Sequence, residues 1–282
     1  MTSREKDWSG WIGRTAEAED AMDVARANAL QATLESEDPE FAAGDFLPPL
    51  WHWCYFWQAI PLSGVGRDGH GARGAFLPPI ELPRRMWAGS RVTWHEGLPL
   101  GAPARRVSTI LDVVAKEGRS GPLAFVTVKH EISGAAGLAL TEEHDIVYRA
   151  APQPGEAAPA GRPAPADLPW RREISPDPVL LFRYSALTFN GHRIHYDHPY
   201  VTEVEGYPGL IVHGPLLATL MVDLARRAQP ARRIAGFSFR ALSPIFDTAP
   251  FSVAGRPLGE SADLWVVNPA GDIAMQGQVV FG

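Results

Sequence analysis

The sequence predicts an α+β protein made of two tandem units, each an apolar helix wrapped by antiparallel strands. Three observations carry this. Segments rich in Val, Ile, Thr and Phe, separated by Gly and Pro, recur in both halves of the chain. In each half they follow a strongly apolar stretch that starts at proline, Pro48-Pro49 and then Pro215. Between the halves the composition turns to Ala, Pro and Gly, which cannot bury a core. The expected organisation is a first unit over 1–149, a linker over 150–169 and a second unit over 170–282.

Taken in order, residues 15–34 read as a helix, with Thr15 as N-cap and acids in the first turn. Leu50 to Ile60 is unusually apolar and aromatic and reads as a buried helix. Gly64-Val65-Gly66-Arg67-Asp68-Gly69 matches a dinucleotide-binding pattern, but no strand precedes it and glycine and proline follow, so a mobile loop is expected. Ser90 to Glu96, Ala104 to Glu117, Pro122 to Glu131 and Leu138 to Arg149 read as strands. Val107, Thr109, Leu111, Val113 and Ala115 show the period of two. In the second half a polar loop over 185–209 leads into an apolar helix, Pro215 to Arg227. Strands follow at Ile234 to Leu242, Phe251 to Gly255, Leu264 to Asn268 and Ala274 to Phe281. One sheet wrapping one apolar helix is a hot-dog unit, and two in tandem would lay their sheets side by side.

The bulk numbers narrow the function. A net charge of −6 argues against nucleic-acid or anionic-membrane partners. No apolar run reaches the ~18 residues of a membrane span. Met1 to Asp20 carries several acids and no apolar signal core, so a cytoplasmic protein is expected. The lone Cys54, inside an aromatic run, reads as a buried inert thiol.

Chemistry concentrates in Tyr184-Ser185-Ala186-Leu187-Thr188-Phe189-Asn190-Gly191-His192-Arg193-Ile194-His195-Tyr196-Asp197 and its sequel, Gly209-Leu210-Ile211-Val212-His213-Gly214-Pro215-Leu216. A histidine-rich loop beside a helix mouth offers both a proton-transferring group and free backbone N–H donors. Acid–base chemistry next to a carbonyl needs both. His195 is the candidate general base, since an imidazole serves both directions near neutrality. Asn190 would hold the reacting water, or else form a turn before Gly191. The Gly214 N–H would polarise the carbonyl, unless glycine serves only close packing there. Asp197 and His192 are possible orienting groups, Asp197 being equally a cap for the turn begun by His198-Pro199. Tyr184, Arg193, Val212 and His213 are candidates for the substrate pocket. Arg84 and Arg85, with Arg91, Arg105 and Arg106, form a basic concentration that would meet phosphates, or else only a solvated surface. The histidines match no metal-ligand spacing, so no metal is expected.

The segment from Phe182 to Asp197 resembles the hydroxyacyl-thioester dehydratase type 2 and mesaconyl-C4-CoA hydratase group of MaoC-like hydratases. So do Pro83-Arg84-Arg85-Met86-Trp87-Ala88-Gly89-Ser90, Thr141-Glu142-Glu143-His144-Asp145-Ile146-Val147-Tyr148 and Phe237-Ser238-Phe239-Arg240. The resemblance implies a double hot-dog fold and reversible addition of water across the 2,3 double bond of an acyl thioester. It implies no metal or redox cofactor, with coenzyme A or an acyl carrier protein as part of the substrate. Against the wider signature Asp-x-Asn-Pro-x-His, His195 stands at the histidine and Asn190 at the aspartate. An amide cannot exchange a proton near neutrality, which shifts the burden to His195. The second unit would carry the catalytic loop and the first would form the pocket, its aromatic helix shortening the acyl tunnel in favour of a short or branched acyl group. A thioesterase and a non-catalytic acyl-CoA binder are the alternatives, and a homodimer is a possible assembly.

Overall fold

The computed structural model describes residues 8–71, 74–118, 121–150 and 160–282. A single antiparallel sheet of ten strands runs in the order β1-β3-β4-β5-β2-β7-β10-β9-β8-β6. The first half supplies β1 (Thr15–Asp20), β2 (Arg84–Trp94), β3 (Ala104–Gly118), β4 (Gly121–Gly134) and β5 (Gly137–Arg149). The second supplies β6 (Trp170–Ile174), β7 (Ile234–Ala241), β8 (Phe251–Leu258), β9 (Ser261–Val267) and β10 (Ile273–Phe281). The halves join at β2 and β7, where Ser90 pairs with Phe239 and Val92 with Phe237. Ser90–Trp94 and Phe237–Arg240, each in the first strand after the long apolar stretch of its half, therefore lie against each other across the seam, and the fold is the double hot-dog.

In the second unit the sheet wraps α3 (Gly214–Ala228), where every residue from Leu216 to Ala225 is buried. A helix apolar nearly all round needs such a wrapping. Its one buried acid, Asp223, is answered by Arg172 of β6 at 3.3 Å, Arg226 at 3.0 Å and Arg227 at 2.7 Å. A buried carboxylate left unpaired would be costly, so these guanidiniums fix the C-terminal part of α3.

Among the described residues the first unit has no equivalent helix. Leu50 to Ile60 forms only a short 3-10 turn, Trp51–Cys54. Leu50 and Phe56 take left-handed φ of 70° and 58°, which a continuous helix forbids. The Asp20 carboxylate accepts the Phe56 N–H at 2.8 Å and holds that bend. Leu50, Trp51, Cys54, Tyr55 and Phe56 are buried, while Trp57, Ile60 and Leu62 are exposed. The expected aromatic helix shortening a tunnel is therefore absent. Burial pushes the Cys54 thiol up to about 12, as expected of an inert cysteine.

The helix expected over 15–34 divides. Thr15–Asp20 is an edge strand pairing β3, and α1 (Val24–Thr33) starts later. Asp23, not Thr15, is its N-cap, accepting from the Ala25 N–H at 2.8 Å. Alternate exposure along Thr15–Asp20 follows the period of a strand, and Glu19 faces Arg105 across the pair. Part of the expected linker, 151–159, lies outside the described residues. Its remainder is ordered: Pro163 bridges Asp272, and Ala164 and Leu168 pack on Ala254, Trp265, Val267 and Ile273. Among the described residues no helix is long and apolar enough to cross a membrane.

At the seam a Cβ on Gly89 would stand 2.2 Å from the Phe239 carbonyl oxygen, whereas one on Gly236 would meet nothing nearer than 3.6 Å. Gly89→Ala is expected to destabilise by about 1–3 kcal/mol and Gly236→Ala to be nearly neutral, measured as Tm. Equal melting of both variants would contradict so tight a seam.

Candidate active site

A short helix absent from the sequence expectations, α2 (Pro178–Leu187), leads into the histidine loop. Asp177 caps it by accepting the Leu180 N–H at 2.8 Å, and Pro178 opens it. The chain leaves through Phe189 at φ 50°, and the Asn190 N–H donates to the Ser185 carbonyl at 2.8 Å. The Asn190 side chain then accepts the His192 N–H at 3.0 Å. This is the turn-forming alternative, and it occupies one lone pair of the amide oxygen. Arg193 is engaged by Asp197 at 2.8 Å and by the Arg67 carbonyl at 3.0 Å. Asp197 also accepts the Tyr200 N–H at 3.1 Å, capping the π-helical turn Tyr200–Val204. Both residues thus brace the loop, and Asp197 orients Arg193 rather than a histidine.

His195 is buried at the end of a 3-10 turn, Arg193–His195. Its Nδ1 lies 2.7 Å from the Ile211 carbonyl oxygen. A carbonyl only accepts, so the neutral ring carries its proton on Nδ1 and presents a lone pair at Nε2. Burial pushes its pKa down to about 4, the Ile211 bond opposing this in part. The ring stacks on His213 with centroids 3.7 Å apart. His213 is fully buried and its Nε2 lies 2.8 Å from the Ser185 hydroxyl. It backs His195 instead of facing a substrate. Tyr184, also fully buried, sits 5.0 Å from the His213 ring, and Val212 is buried with its N–H on the Ile245 carbonyl. These expected pocket residues support the loop from behind.

His213 is also the N-cap of α3, and its side chain caps no N–H. The helix mouth thus opens beside the imidazole pair with Gly214 first, where orphan N–H groups concentrate positive potential. A Cβ on Gly214 would meet no atom within 4 Å. Close packing therefore does not explain glycine here, since the space a side chain would take is open.

The first half reaches into the same place, which the sequence reading missed. The glycine loop expected to be mobile is docked on the histidine loop: the Asp68 carbonyl accepts the Arg193 N–H at 2.9 Å. A Cβ on Gly69, at φ +89°, would lie 1.7 Å from the Gly191 oxygen. This approach sets His70 against His192, ring centroids 4.0 Å apart, and His192 is 5.4 Å from His195. Asp68 Oδ2 lies 3.1 Å from His70 Nδ1, and that bond holds the Asp68 carboxyl well below the usual range. Asp68, His70 and His192 bring possible ligand atoms within 4.8 Å of one another. His70 already occupies the Asp68 carboxylate, so the arrangement reads as one carboxylate–imidazole hydrogen bond followed by two ring contacts. The only hint in the sequence was a His and an Asp set among closely spaced glycines.

The basic concentration is mostly neutralised internally. Arg84 reaches the Glu205 carbonyl at 3.2 Å and lies over the Tyr207 ring. Arg91 pairs with Glu143 and Asp145, Arg105 with Glu17, and Arg106 donates to the Phe56 carbonyl. Arg85 differs. It opposes the buried Tyr148 across β2 and β5, on the inner face of the sheet. Its charge acts on both His144 and His192, and no acid pairs with it among the described residues.

On the same inner face the buried Glu142 accepts from Trp53 and Ser90, and His52 Nε2 lies 3.0 Å away. Burial raises its pKa, but the His52 bond and the nearby imidazoles outweigh this and keep it charged. His130 and His144, beside it, are pushed down by burial to about 3 and about 4.

The hydroxyacyl-thioester dehydratase type 2 family model matches residues 50–247. The chain is 50% identical over 281 residues to a mesaconyl-C(4)-CoA hydratase of Chloroflexus aurantiacus, covering 98% of each. Among solved structures it is similar to HtdX of Mycobacterium tuberculosis, with a TM-score of 0.67 and 16% identity, covering 94% of this chain and 98% of that one. It is also similar to a second M. tuberculosis protein described as a double hotdog fold, with a TM-score of 0.57 and 12% identity, over 96% of both chains. At such identities the structures speak for the fold alone.

His130, His144 and His195 stay neutral in the folded chain down to about 3, 4 and 4, whereas in the unfolded chain each protonates near ~6.5. Between those values the unfolded state binds more protons, so stability present above pH ~6.5 is lost as pH falls toward ~4. Thermal melts from pH 7.5 downward should show Tm falling by several degrees before ordinary carboxylates titrate; a flat profile would contradict it.

Proposed function

This chain belongs to the hydroxyacyl-thioester dehydratase type 2 family, hydro-lyases of acyl thioesters, and on that premise we propose that it hydrates mesaconyl-C4-CoA, or a closely similar short branched enoyl thioester, at His195. Two features carry the reading: the relative of that name, and the lone pair of His195 Nε2 beside the open mouth of α3. Water held between Nε2 and the substrate loses its proton to His195 as its oxygen bonds to C3. Negative charge then develops on the thioester oxygen, where the Gly214 N–H meets it in a site shielded from solvent. C2 then takes up a proton as the carbonyl re-forms, and dehydration runs the same steps in reverse. The reaction is proposed to use these groups without a resident metal or redox cofactor, coenzyme A entering as part of the substrate. Nothing supports the thioesterase or the non-catalytic binder.

Arg85 supports the finer substrate assignment. Mesaconate is a branched unsaturated dicarboxylic acid, so its monothioester keeps a free carboxylate close to the reacting double bond. A half-buried arginine without an acid partner, on the inner face and near His192, suits that carboxylate better than a plain alkyl chain.

The test follows loss of the enoyl-thioester absorbance and the product mass for mesaconyl-C4-CoA and for crotonyl-CoA. His195→Gln should lower hydration by more than ~100-fold. Arg85→Met should cost ~10–100-fold in kcat/KM with the carboxylate-bearing substrate and little with crotonyl-CoA. Equal losses on both substrates would remove Arg85 from carboxylate recognition, and a fully active His195→Gln would remove this site from the chemistry.

A further inference from the structure

Adding water across a double bond takes a proton from water and gives one to the carbon next to the thioester, so the site must both accept and donate. His195 is neutral and accepts. Its own loop offers no matching donor. Asn190 is an amide folded onto the His192 N–H, Asp197 is engaged by Arg193, and the half-exposed Tyr196 donates its hydroxyl proton to the Gly191 carbonyl. His213, stacked on His195 at 3.7 Å, is turned to the Ser185 hydroxyl and held neutral by burial; past it, a second line of exchangeable protons reaches in from the first half, in the sequence Asp68, His70, His192, His195. The separations are 3.1 Å for the carboxylate–imidazole bond, then 4.0 Å and 5.4 Å between ring centroids.

We propose that the Asp68–His70 pair is the proton reservoir of the hydratase reaction, carried into the site by the docked glycine loop and exchanging with His195 through His192. The proposal rests on the hydratase reading above. A carboxylate hydrogen-bonded to Nδ1 both orients His70 and stabilises its protonated form. His192 has no such partner, and burial disfavours its charged form. A proton passing through it is therefore handed on. In the hydration direction, His195 takes a proton from water while the C3–O bond forms and the double-bond electrons move to the thioester oxygen. The His70–His192 pair gives a proton to C2 as the carbonyl re-forms. Transfer from His195 back through His192 to His70 restores the starting state, and one water is consumed. Among the described residues the titratable and charged groups facing this chain include Arg85 on β2, His213 at the helix mouth, Arg193 paired with Asp197, and the Tyr200 hydroxyl bonded to Glu205 on the following turn.

The geometry also gives Gly66 and Gly69 a purpose beyond flexibility. The Gly66 N–H donates to the His70 carbonyl at 2.6 Å and the Gly69 N–H to the Gly66 carbonyl at 2.9 Å. The loop is thereby closed on itself, with Asp68 and His70 projecting from one tight turn.

The test measures pH–rate profiles of the full-length enzyme on mesaconyl-C4-CoA for wild type, His70→Gln, Asp68→Asn and His192→Gln. His70→Gln and His192→Gln should lower kcat by at least ~10-fold with KM within ~3-fold. Asp68→Asn should move the alkaline limb to lower pH by about 1 unit, because removing the carboxylate disfavours the protonated imidazole. A loop held only for its shape would change KM and Tm but leave the pH profile in place. Wild-type kcat and profile in both His70→Gln and Asp68→Asn would overturn the proposal. So would activity lost to a chelator and restored by a divalent ion, since the cluster would then hold a metal. His192→Gln lies on the opposite loop and keeps the test decisive if a variant of the glycine loop fails to fold. A wild type without hydratase activity would instead defeat the underlying reading.

Discussion

The Ile211 carbonyl accepting from His195 Nδ1 is a small contact with wide consequences. It fixes which ring nitrogen is basic. It also ties the catalytic loop to the strand-like segment that enters α3, so the imidazole and the helix mouth cannot drift apart. His213 completes the arrangement: it stacks on His195, bonds Ser185 at the end of α2 and caps α3 in position only. Its Nδ1 is buried with no hydrogen-bond partner. That cost is accepted where a neutral, rigid backing ring keeps the site dry.

The two halves share an architecture and divide the work. The second keeps the wrapped helix whose N-terminus faces the site. The first gives up its helix, and the inner face of its sheet carries polar side chains instead, with Glu142, His130, His144 and Arg85 on neighbouring strands. It reaches the catalytic loop through the glycine turn, and through Trp57, which stacks on Phe189 and donates to the Leu187 carbonyl at 3.1 Å. The first half thus meets the histidine loop of the second at two places.

Much of this was legible in the chain. The loop and helix around His195 and Gly214 stood out because the residues needed for proton transfer and for an open helix mouth are adjacent in sequence. Strands announced themselves by β-branched residues and alternation. The errors have local causes. Thr15–Asp20 is rich in Ala and Glu, good helix formers, and becomes a strand because β3 offers an edge with matching arginines. Leu50 to Ile60 looked helical by hydrophobicity, but its aromatic side chains pack in several directions from a chain bent at Leu50 and Phe56. Helix α2 was hidden inside the motif that drew attention for its histidines. The Asp68–His70 pair was invisible because it meets His192 only through tertiary docking, more than a hundred residues away along the chain.

The seam between β2 and β7 carries one more implication. In an assembly of two identical chains, any substitution in one unit is imposed equally on the other. Here a covalent connection lets each side mutate alone while shared backbone hydrogen bonds keep both in register. Specialisation for a charged, branched acid then requires changes in only one of them. Cutting the chain at the connection would leave β7 as a bare edge inviting foreign strands, so the catalytic portion is not a separable module.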